Sequence, residues 1–527
     1  MSRALLLWIL AASAVLFWNL SDRYLWQDEA ACAVLGERLF EHGRPLGYDG
    51  VNLITMDTSQ PGETAGVSAR STQAQAAVTY FAERGDFKAD TTWIGQPWGS
   101  MVLSGLAQEL GGESNFALRA PFALFGLLTL LLLVRSVRHR LGTRAAWIAG
   151  AFLLGNVYWV LHSRQCRYYS PAAFFQLATF LAYLRWLDGA RHGATLFATC
   201  ATLWFHMDFG SFWPTLLVLG AHAVLLRGRP WGSTLATFAV VTALAAGGAY
   251  YYELFGRLKP ATLPLGPRAA ALLLQFNQYQ LPLLLLFLVP FAALRSRRAG
   301  RPRDARDLSL AALLLAAQLA WMCAVTPFPF YRYLVVTTPL AAFVAAGLLR
   351  AFTTERTATW LLSAVAALLI VTPVLSAPLS VAFPDSRWKE SASIVRPEWR
   401  ALWAQWRGGA PDPNRSVVEF LRERLEPGDE ILCNYEDVPL MHYLDHPVRG
   451  GLPCFRVDAR PQARFFVLRR SGLQAGQLEA FQRAGEQTRW RPLAFDAPDI
   501  PWGNNPDPAF HFSRLEPAGS VMIFERP

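Results

Sequence analysis

The chain has 527 residues, of which 53% are hydrophobic and only 17% are charged. Soluble domains usually carry about 25% charged residues, so the composition excludes a string of soluble domains, and it is too apolar for a disordered chain. Six cysteines are too few for a secreted disulfide scaffold. The net charge of +10 resides largely in short arginine clusters between apolar runs. Such clusters favour orientation across a bilayer over nucleic-acid binding, so we expect a membrane protein without a nucleic-acid partner.

Eleven apolar runs are interpreted as membrane spans, since about 20 mostly apolar residues cross the hydrocarbon core. They lie at 4–20, 119–134, 145–161, 171–187, 193–205, 209–226, 233–252, 269–294, 308–325, 333–349 and 358–376. The first lacks a small-residue cleavage site, so we expect an uncleaved anchor. Polar residues at 275–280 interrupt the run 269–294, where a re-entrant segment remains an alternative. The shorter apolar segment 97–110 is interpreted as a juxtamembrane helix lying at the external interface.

Arginine placement predicts the orientation, because short cytoplasmic loops carry an excess of Lys and Arg. With the N-terminus in the cytoplasm, the predicted cytoplasmic loops contain basic clusters at 135–144, 185–191, 227–229, 295–306 and 350–356. The opposite loops contain only Arg164, Arg167, Arg257, Lys259, Arg268 and Arg332. The loop 21–118 and the C-terminal region are then expected on the periplasmic side of a bacterial inner membrane.

Two domains are predicted: an α-helical polytopic membrane domain at 1–383, and a small external α/β domain at 384–527. After about residue 383 the long apolar runs stop, and helical and strand-like patterns alternate. Cys433 and Cys454 both lie in the external domain, where a disulfide would persist, but their pairing stays open. A turn-rich stretch at 498–508 is interpreted as a rigid loop, with sugar binding as the alternative.

Adjacent acidic residues, Asp28 and Glu29, follow the first span. Taken alone, the pair is explained by its position near a helix start, where negative charge complements the helix dipole. Further motifs follow in a fixed order, and they give the pair a second interpretation. They are Gly43-Arg44-Pro45, Gln96-Pro97-Trp98, the segment 111–121 ending in Arg119-Ala120-Pro121, the segment 162–170, and Tyr331-Arg332-Tyr333 with Pro339.

This ordered set resembles the GT-C superfamily of polyprenyl-phosphate-sugar glycosyltransferases. Within it, the motifs are most similar to bacterial relatives of protein O-mannosyltransferases and of the lipid A aminoarabinose transferase. The resemblance implies a GT-C-like membrane domain and inverting transfer of a sugar from a polyprenyl-phosphate donor to a hydroxyl of a glycolipid, polysaccharide or protein. It also implies that Asp28 is the general base, while Glu29 either orients Asp28 or caps the following helix.

Transfer from a lipid phosphate also needs cations that stabilise the departing phosphate, and Arg can bind phosphate through two parallel hydrogen bonds. The predicted phosphate ligands are Arg164, Arg167, Arg332, Tyr333 and Lys259. The predicted substrate contacts are Tyr168, Tyr169, Tyr331, Trp98, His206 and Asp208. The alternative is that Arg and Tyr anchor spans at the membrane interface, where both are common. That alternative stays open for Arg164 and Arg167.

No cofactor is expected beyond the lipid-linked donor, which is a substrate. His162, His206 and Asp208 together with Asp28 could provide divalent-metal ligands, but their spacing matches no recognised metal motif, and we favour interfacial polar roles. The main alternative function is a transporter or flippase of lipid-linked sugars. It is disfavoured because the ionisable residues gather at span ends and the sequence shows no repeat. A phosphoryl-transfer or ligase-type enzyme using the same carrier is a second alternative.

Overall fold

A computed structural model describes residues 3–54, 87–225, 231–254, 264–326, 330–353, 411–450, 463–470, 490–500 and 519–526, with isolated residues between 364 and 408. Helices dominate this part of the chain. They are α1 Arg3–Phe17, α2 Gln27–His42, α3 Gly99–Gly111, α4 Asn115–Leu141, α5 Thr143–Gly155, α6 Val157–Ser163, α7 Tyr169–Leu187, α8 Gly193–Met207, α9 Phe209–Leu225, α10 Trp231–Tyr251, α11 Leu265–Tyr279, α12 Leu283–Leu286, α13 Val289–Arg298, α14 Pro302–Val325, α15 Thr338–Phe352, α16 Pro413–Arg422 and α17 Asp437–Tyr443. A 3₁₀ helix, Tyr331–Thr337, leads directly into α15.

The described residues fall into two compact units. The helical unit is drawn from Met1–Trp18 and Phe122–Trp406. The mixed unit is drawn from Asn19–Pro121, Arg407–Asn505 and Arg514–Pro527. Residues that follow the first helix therefore share a unit with residues from the C-terminal part of the chain.

The membrane-spanning candidates lie in the helical unit, except that the first of them begins in the mixed unit at Asn115. Among the described residues, four stretches are long and apolar enough to cross a bilayer: Asn115–Leu141, Gly232–Tyr251, Pro302–Val325 and Tyr331–Phe352. Two helix pairs qualify only when taken together. The pair α5 and α6 bends by 69° at its break, and Leu265–Tyr279 with Leu283–Arg298 bends by 85°. Counting each bent pair as one span raises the number to six.

The apolar runs of the sequence coincide with these elements. Each of the first ten predicted runs falls on a described helix or helix pair, although several are shorter or less apolar than a full span. The run 269–294 coincides with the 85° bend, which is compatible with a broken span or a re-entrant segment. The run 358–376 lies largely outside the described residues.

An ion-pair network joins three helix ends that carry predicted cytoplasmic charge. Arg140, at the end of α4, binds Asp307 of α14 at 2.5 Å and Asp188, which follows α7, at 2.9 Å. Arg306 of α14 binds the other oxygen of Asp188 at 2.9 Å. These helix ends therefore lie together, as loops on a common side of a membrane must.

The mixed unit contains a five-stranded sheet in the order β2-β1-β3-β5-β4. Its strands are β1 Glu430–Cys433, β2 Val448–Arg449, β3 Ala463–Leu468, β4 Arg491–Pro492 and β5 Met522–Glu525. β1 is parallel to β2 and β3, whereas β5 is antiparallel to β3 and β4. Leu432, Phe466, Leu468 and Trp490 form a core on this sheet. The small C-terminal α/β fold predicted from the sequence is confirmed.

Helix α2 packs between α3 and α17 within the mixed unit. Its contact with α3 is so close that a Cβ atom on Gly36 would lie 2.7 Å from the backbone nitrogen of Gly105. The Ser104 hydroxyl donates a hydrogen bond of 2.7 Å to the Cys32 carbonyl across the same contact. Small residues let helix backbones approach closely, so this crossing fixes the position of α2.

Candidate active site

The predicted base, Asp28, lies in the first turn of α2 and is 4% exposed. Trp26 precedes the helix in an extended conformation and provides no side-chain cap. Asp28 and Glu29 therefore place negative charge where the unsatisfied backbone N–H groups of the helix start give a positive potential. The position of Asp28 is therefore compatible both with the helix-dipole explanation and with a catalytic role.

Glu29 is fully buried and paired with Arg119, the last charged residue of the motif at 111–121. The Arg119 Nε and Nη2 atoms donate to the two carboxylate oxygens of Glu29 at 2.8 and 2.7 Å. Arg119 also donates to the carbonyl oxygens of Leu20 and Arg23 at 3.1 and 2.8 Å. The pair therefore holds the turn between α1 and α2 as well as the start of α2.

The residue before Asp28 is held by the C-terminal part of the chain. The Gln27 backbone N–H donates to Glu436 Oε2 at 2.7 Å, and the Gln27 side-chain amide donates to Asp437 Oδ1 at 2.7 Å. In return, the Val438 backbone N–H donates to Gln27 Oε1 at 3.2 Å. Three hydrogen bonds thus join the first turns of α2 and α17.

Glu436 belongs to a buried polar cluster that the sequence did not reveal. The Asn414 side-chain amide donates to Glu436 Oε2 at 3.1 Å, and Arg469 donates to the Asn414 side-chain oxygen at 2.7 Å. Arg469 also pairs with Asp499 at 2.8 Å. Burial raises the pKa of Glu436 to about 7; Arg469 lowers this pKa, whereas Asp28 raises it. The cluster places a second titratable carboxyl within electrostatic range of Asp28.

The other predicted residue of this unit is Trp98, which immediately precedes α3. Its indole N–H donates to the Trp93 carbonyl oxygen at 2.8 Å, and its side chain is half-buried. The observed hydrogen bond gives Trp98 a part in shaping the turn before α3. Its predicted substrate contact stays a prediction.

In the helical unit, the Arg-Tyr motif forms the 3₁₀ helix before α15. Tyr331 is fully buried and packs against Tyr158 and Tyr279, with ring centroids 4.8 and 5.3 Å away. The guanidinium of Arg332 lies over the rings of Phe330 and Tyr333, at 4.5 and 5.7 Å from their centroids. Arg332 is 9% exposed, so its charge is held in a largely desolvated aromatic setting.

The 3₁₀ helix contacts α6 and α7, whose junction carries the other predicted cations. Arg167 lies over the ring of Tyr168 at 5.5 Å, and Tyr168 contacts Tyr169 with ring centroids 4.5 Å apart. Tyr168 also lies within electrostatic range of Tyr333 and Asp208. The helical unit therefore brings Arg167, Tyr168 and Tyr169 close to the Arg-Tyr motif.

Arg164 has a structural contact of a different kind. Its Nη1 donates to the carbonyl oxygens of Val15 and Leu16 at 2.9 and 3.3 Å, in the last turn of α1. A cation at this place satisfies carbonyl groups and complements the helix dipole. These contacts support the alternative in which Arg164 has an anchoring role.

Asp208 and His206 flank the short turn between α8 and α9. The Asp208 carboxylate accepts hydrogen bonds from the Gly210 backbone N–H at 2.9 Å and from the Ser211 hydroxyl, so Asp208 caps α9. The ring of His206 faces the ring of Tyr252, with 6.3 Å between the ring centroids. The described part of the chain contains no group of three His, Cys, Asp or Glu side chains suited to a metal ion.

Lys259 and Cys454 lie outside the described residues, as do positions 501–508 of the turn-rich stretch. The predicted phosphate contact of Lys259, the disulfide and the sugar-binding alternative for the stretch therefore stay predictions.

The fold and the arrangement of its elements define a class: a polytopic helical membrane protein in which the residues after the first helix share a compact unit with a small C-terminal sheet. Two crystal structures of ArnT from Cupriavidus metallidurans share this fold over nearly the whole chain. The structure bound to undecaprenyl phosphate gives a TM-score of 0.58 at 14% identity, covering 98% of this chain and 97% of that chain. The apo structure gives a TM-score of 0.56 at the same identity and coverage.

A third structure, the Archaeoglobus fulgidus oligosaccharyltransferase in complex with Zn and sulfate, is a weaker match. It has a TM-score of 0.47 at 14% identity and covers 89% of this chain and 68% of that chain. The sequence matches no protein-family model, and no curated protein matches it. The similarity to ArnT confirms the GT-C-type fold that the sequence motifs indicated.

Proposed function

We propose that the protein is an integral membrane glycosyltransferase. It transfers a sugar, with inversion, from a polyprenyl-phosphate donor to a hydroxyl group of a glycolipid, polysaccharide or protein. Its place is the bacterial inner membrane, with the reaction on the periplasmic side. The observation that carries the proposal is the fold match to ArnT bound to undecaprenyl phosphate, which extends over 98% of this chain and includes the small α/β unit.

Asp28 is the proposed general base. A base must remove the hydroxyl proton of the acceptor as the new glycosidic bond forms. Asp28 is 4% exposed and lies in a helix start fixed by the buried Glu29–Arg119 pair and by the bonds from Gln27. These neighbours fix the backbone of the helix start from which the Asp28 side chain extends, and a rigid backbone is one requirement for a well-positioned catalytic group.

Arg332 and Arg167 are the proposed phosphate ligands, with Tyr333 and Tyr168 beside them. Both arginines are at least nine-tenths buried and lie over aromatic rings. Desolvated cations stabilise the negative charge that develops on a departing phosphate more strongly than exposed cations do. Arg164 is a weaker candidate because its guanidinium already donates to two carbonyl groups of α1.

The proposal is tested by comparative mass spectrometry of surface lipids, polysaccharides and proteins from cells that carry the wild type, a deletion or Asp28→Asn. Glu41→Gln is the matched control, because Glu41 is exposed on the same helix. Variants are compared at equal membrane abundance. We expect one glycoconjugate to lose a single sugar mass in the deletion and in Asp28→Asn, and to keep that mass in Glu41→Gln.

The lost mass would identify the sugar class, and the molecule that loses it would identify the acceptor. A glycoconjugate that changes in the deletion but is normal in Asp28→Asn would remove Asp28 as the base. That pattern would favour transport of a lipid-linked sugar, which needs no proton acceptor at this position.

A further inference from the structure

We propose that Glu436 is a positioning residue for Asp28: it holds the start of α2 in place, and its negative charge makes Asp28 a stronger proton acceptor. This inference rests on the proposed function, in which Asp28 is the base. It assigns to the C-terminal part of the chain a direct part in tuning the reaction.

The geometric part of the argument begins with Gln27, the residue adjacent to Asp28. Glu436 Oε2 accepts a hydrogen bond of 2.7 Å from the Gln27 backbone N–H, one of the groups that a helix start leaves without an intrahelical partner. A carboxylate at this place fixes the backbone from which the Asp28 side chain extends. Asn414 donates to the same oxygen at 3.1 Å and holds the carboxylate from the opposite element, α16.

The backbone of Glu436 is unusual. Its φ and ψ angles are 61° and 38°, in the left-handed region that residues other than glycine rarely adopt. Such a conformation is unfavourable for a residue with a Cβ atom, and it persists only where the surrounding structure holds it. The Glu436 side chain is 2% exposed, so the surrounding structure encloses the residue that adopts this conformation.

Charged groups from several elements surround Glu436. Arg469, which follows β3, is the strongest of them, Asp28 of α2 acts on Glu436 more weakly, and its neighbours also include Asp437 of α17 and Cys433 of β1. Burial dominates and raises the pKa of Glu436 to about 7. Glu436 therefore changes charge within the physiological range, beside a base that is to act in that range.

The two carboxyl groups form a coupled pair, so protonation of one depends on the charge of the other. When Glu436 ionises near pH 7, its negative charge increases the proton affinity of Asp28. A stronger general base accelerates a step in which the proton is partly transferred, so the transfer rate should rise roughly two- to fivefold through this pH range.

The coupling is measured first without any substrate, by infrared spectroscopy of the purified full-length protein across a pH series. We expect a protonated carboxyl band that disappears with a midpoint near pH 7 in the wild type and is missing from Glu436→Gln. In Asp28→Asn the midpoint should fall, because the neighbouring negative charge is gone. Glu423→Gln, at an exposed position of the same unit, should leave the band unchanged.

The consequence for the reaction is measured with a panel of undecaprenyl-phosphate-linked hexoses and pentoses as donors and membrane lipids from the deletion strain as acceptors. Glu436→Gln keeps a side-chain oxygen that can accept the Gln27 hydrogen bond but removes the charge. We expect it to lose the rise in kcat near pH 7 while its KM for the donor stays at the wild-type value. Both the wild type and Glu423→Gln should show the rise.

An unchanged band midpoint in Asp28→Asn, or a rise in kcat that survives in Glu436→Gln, would overturn the inference and leave the proposed function standing. If the wild type transfers no sugar, the proposed function fails, and the infrared midpoint alone decides the coupling. If Glu436→Gln does not fold, the difference in infrared midpoint between the wild type and Asp28→Asn still tests the coupling, because Asp28→Asn retains the native Glu436.

Discussion

Glu29 and Arg119 are 90 positions apart in the sequence and form a buried ion pair with two hydrogen bonds, one to each carboxylate oxygen. Because Arg119 also binds the Leu20 and Arg23 carbonyl groups, a single guanidinium ties together α4, α2 and the turn that leads into α2. Asp28 is the residue beside Glu29. The helix start that carries the proposed base is thus held by a residue near the beginning of α4.

Arg119→Ala should lower the free energy of unfolding by about 3–5 kcal/mol, because it leaves the Glu29 charge buried without its partner. Arg119→Lys should recover only a small part of that loss, since an ammonium group cannot bind both carboxylate oxygens and the two carbonyl groups together. Thermal unfolding of the purified protein gives the measurement. Arg135→Ala is the control, because Arg135 is exposed on the same helix. Equal stability of Arg119→Ala and Arg135→Ala would contradict the prediction.

The apolar pattern predicted the helical part of this fold because a helix that crosses lipid needs about 20 consecutive, mostly apolar residues. The ordered motifs that resemble GT-C glycosyltransferases also singled out Asp28 and the Arg-Tyr motif. Arg332 stood out in addition because few cations lie outside the basic loops. It could not reveal that Glu29 binds Arg119, or that Gln27 binds Glu436, because each pair joins distant segments of the chain. One local signal was available for Glu436: two adjacent acidic residues between a short strand and a helix.

The sequence left the roles of Arg164 and Arg167 open, whereas it favoured phosphate binding for Arg332. All three lie next to predicted membrane spans, where arginine also anchors helices. Their contacts differ: Arg164 binds carbonyl groups of α1, whereas Arg167 and Arg332 lie over aromatic rings. Those contacts depend on how the helices pack, which the apolar pattern does not specify.

The different contacts lead to different expectations for lipid binding. Arg332→Ala should weaken the binding of undecaprenyl phosphate by roughly 10- to 100-fold, which corresponds to the loss of one or two charge-assisted hydrogen bonds. Arg164→Ala should chiefly lower stability, since its guanidinium caps α1. Binding of undecaprenyl phosphate to the purified variants tests both statements, with exposed Arg297→Ala as the control. Wild-type affinity in Arg332→Ala would remove its phosphate role.

The buried carboxyl of Glu436 also predicts how stability depends on pH. Its pKa rises from 4.5 to about 7 on folding, so between these values the folded protein binds the proton more tightly than the unfolded chain does. The stabilisation is fully present below pH 4.5 and is lost as the pH rises through 7. The loss is on the order of 3 kcal/mol. Chemical denaturation at pH 5 and pH 8 should show this decline in the wild type and in Glu423→Gln, but a much smaller decline in Glu436→Gln. A decline of the same size in all three proteins would contradict the assignment.

The contact between α2 and α3 gives a last prediction that concerns the position of Asp28 without altering any charge. A methyl group on Gly36 would lie 2.7 Å from the backbone of both Gly105 and Met101, and backbone atoms cannot move aside as a flexible side chain can. Gly36→Ala should therefore force the helices apart and lower the free energy of unfolding by about 1–3 kcal/mol. Gly232→Ala is the control, because nothing lies within 4 Å of a Cβ there. Since α2 carries Asp28 at its start, Gly36→Ala should also reduce kcat at temperatures where the protein remains folded. Unfolding curves and transfer rates measured on the same preparations test this, and wild-type values for both would show that α2 is held by its other contacts alone.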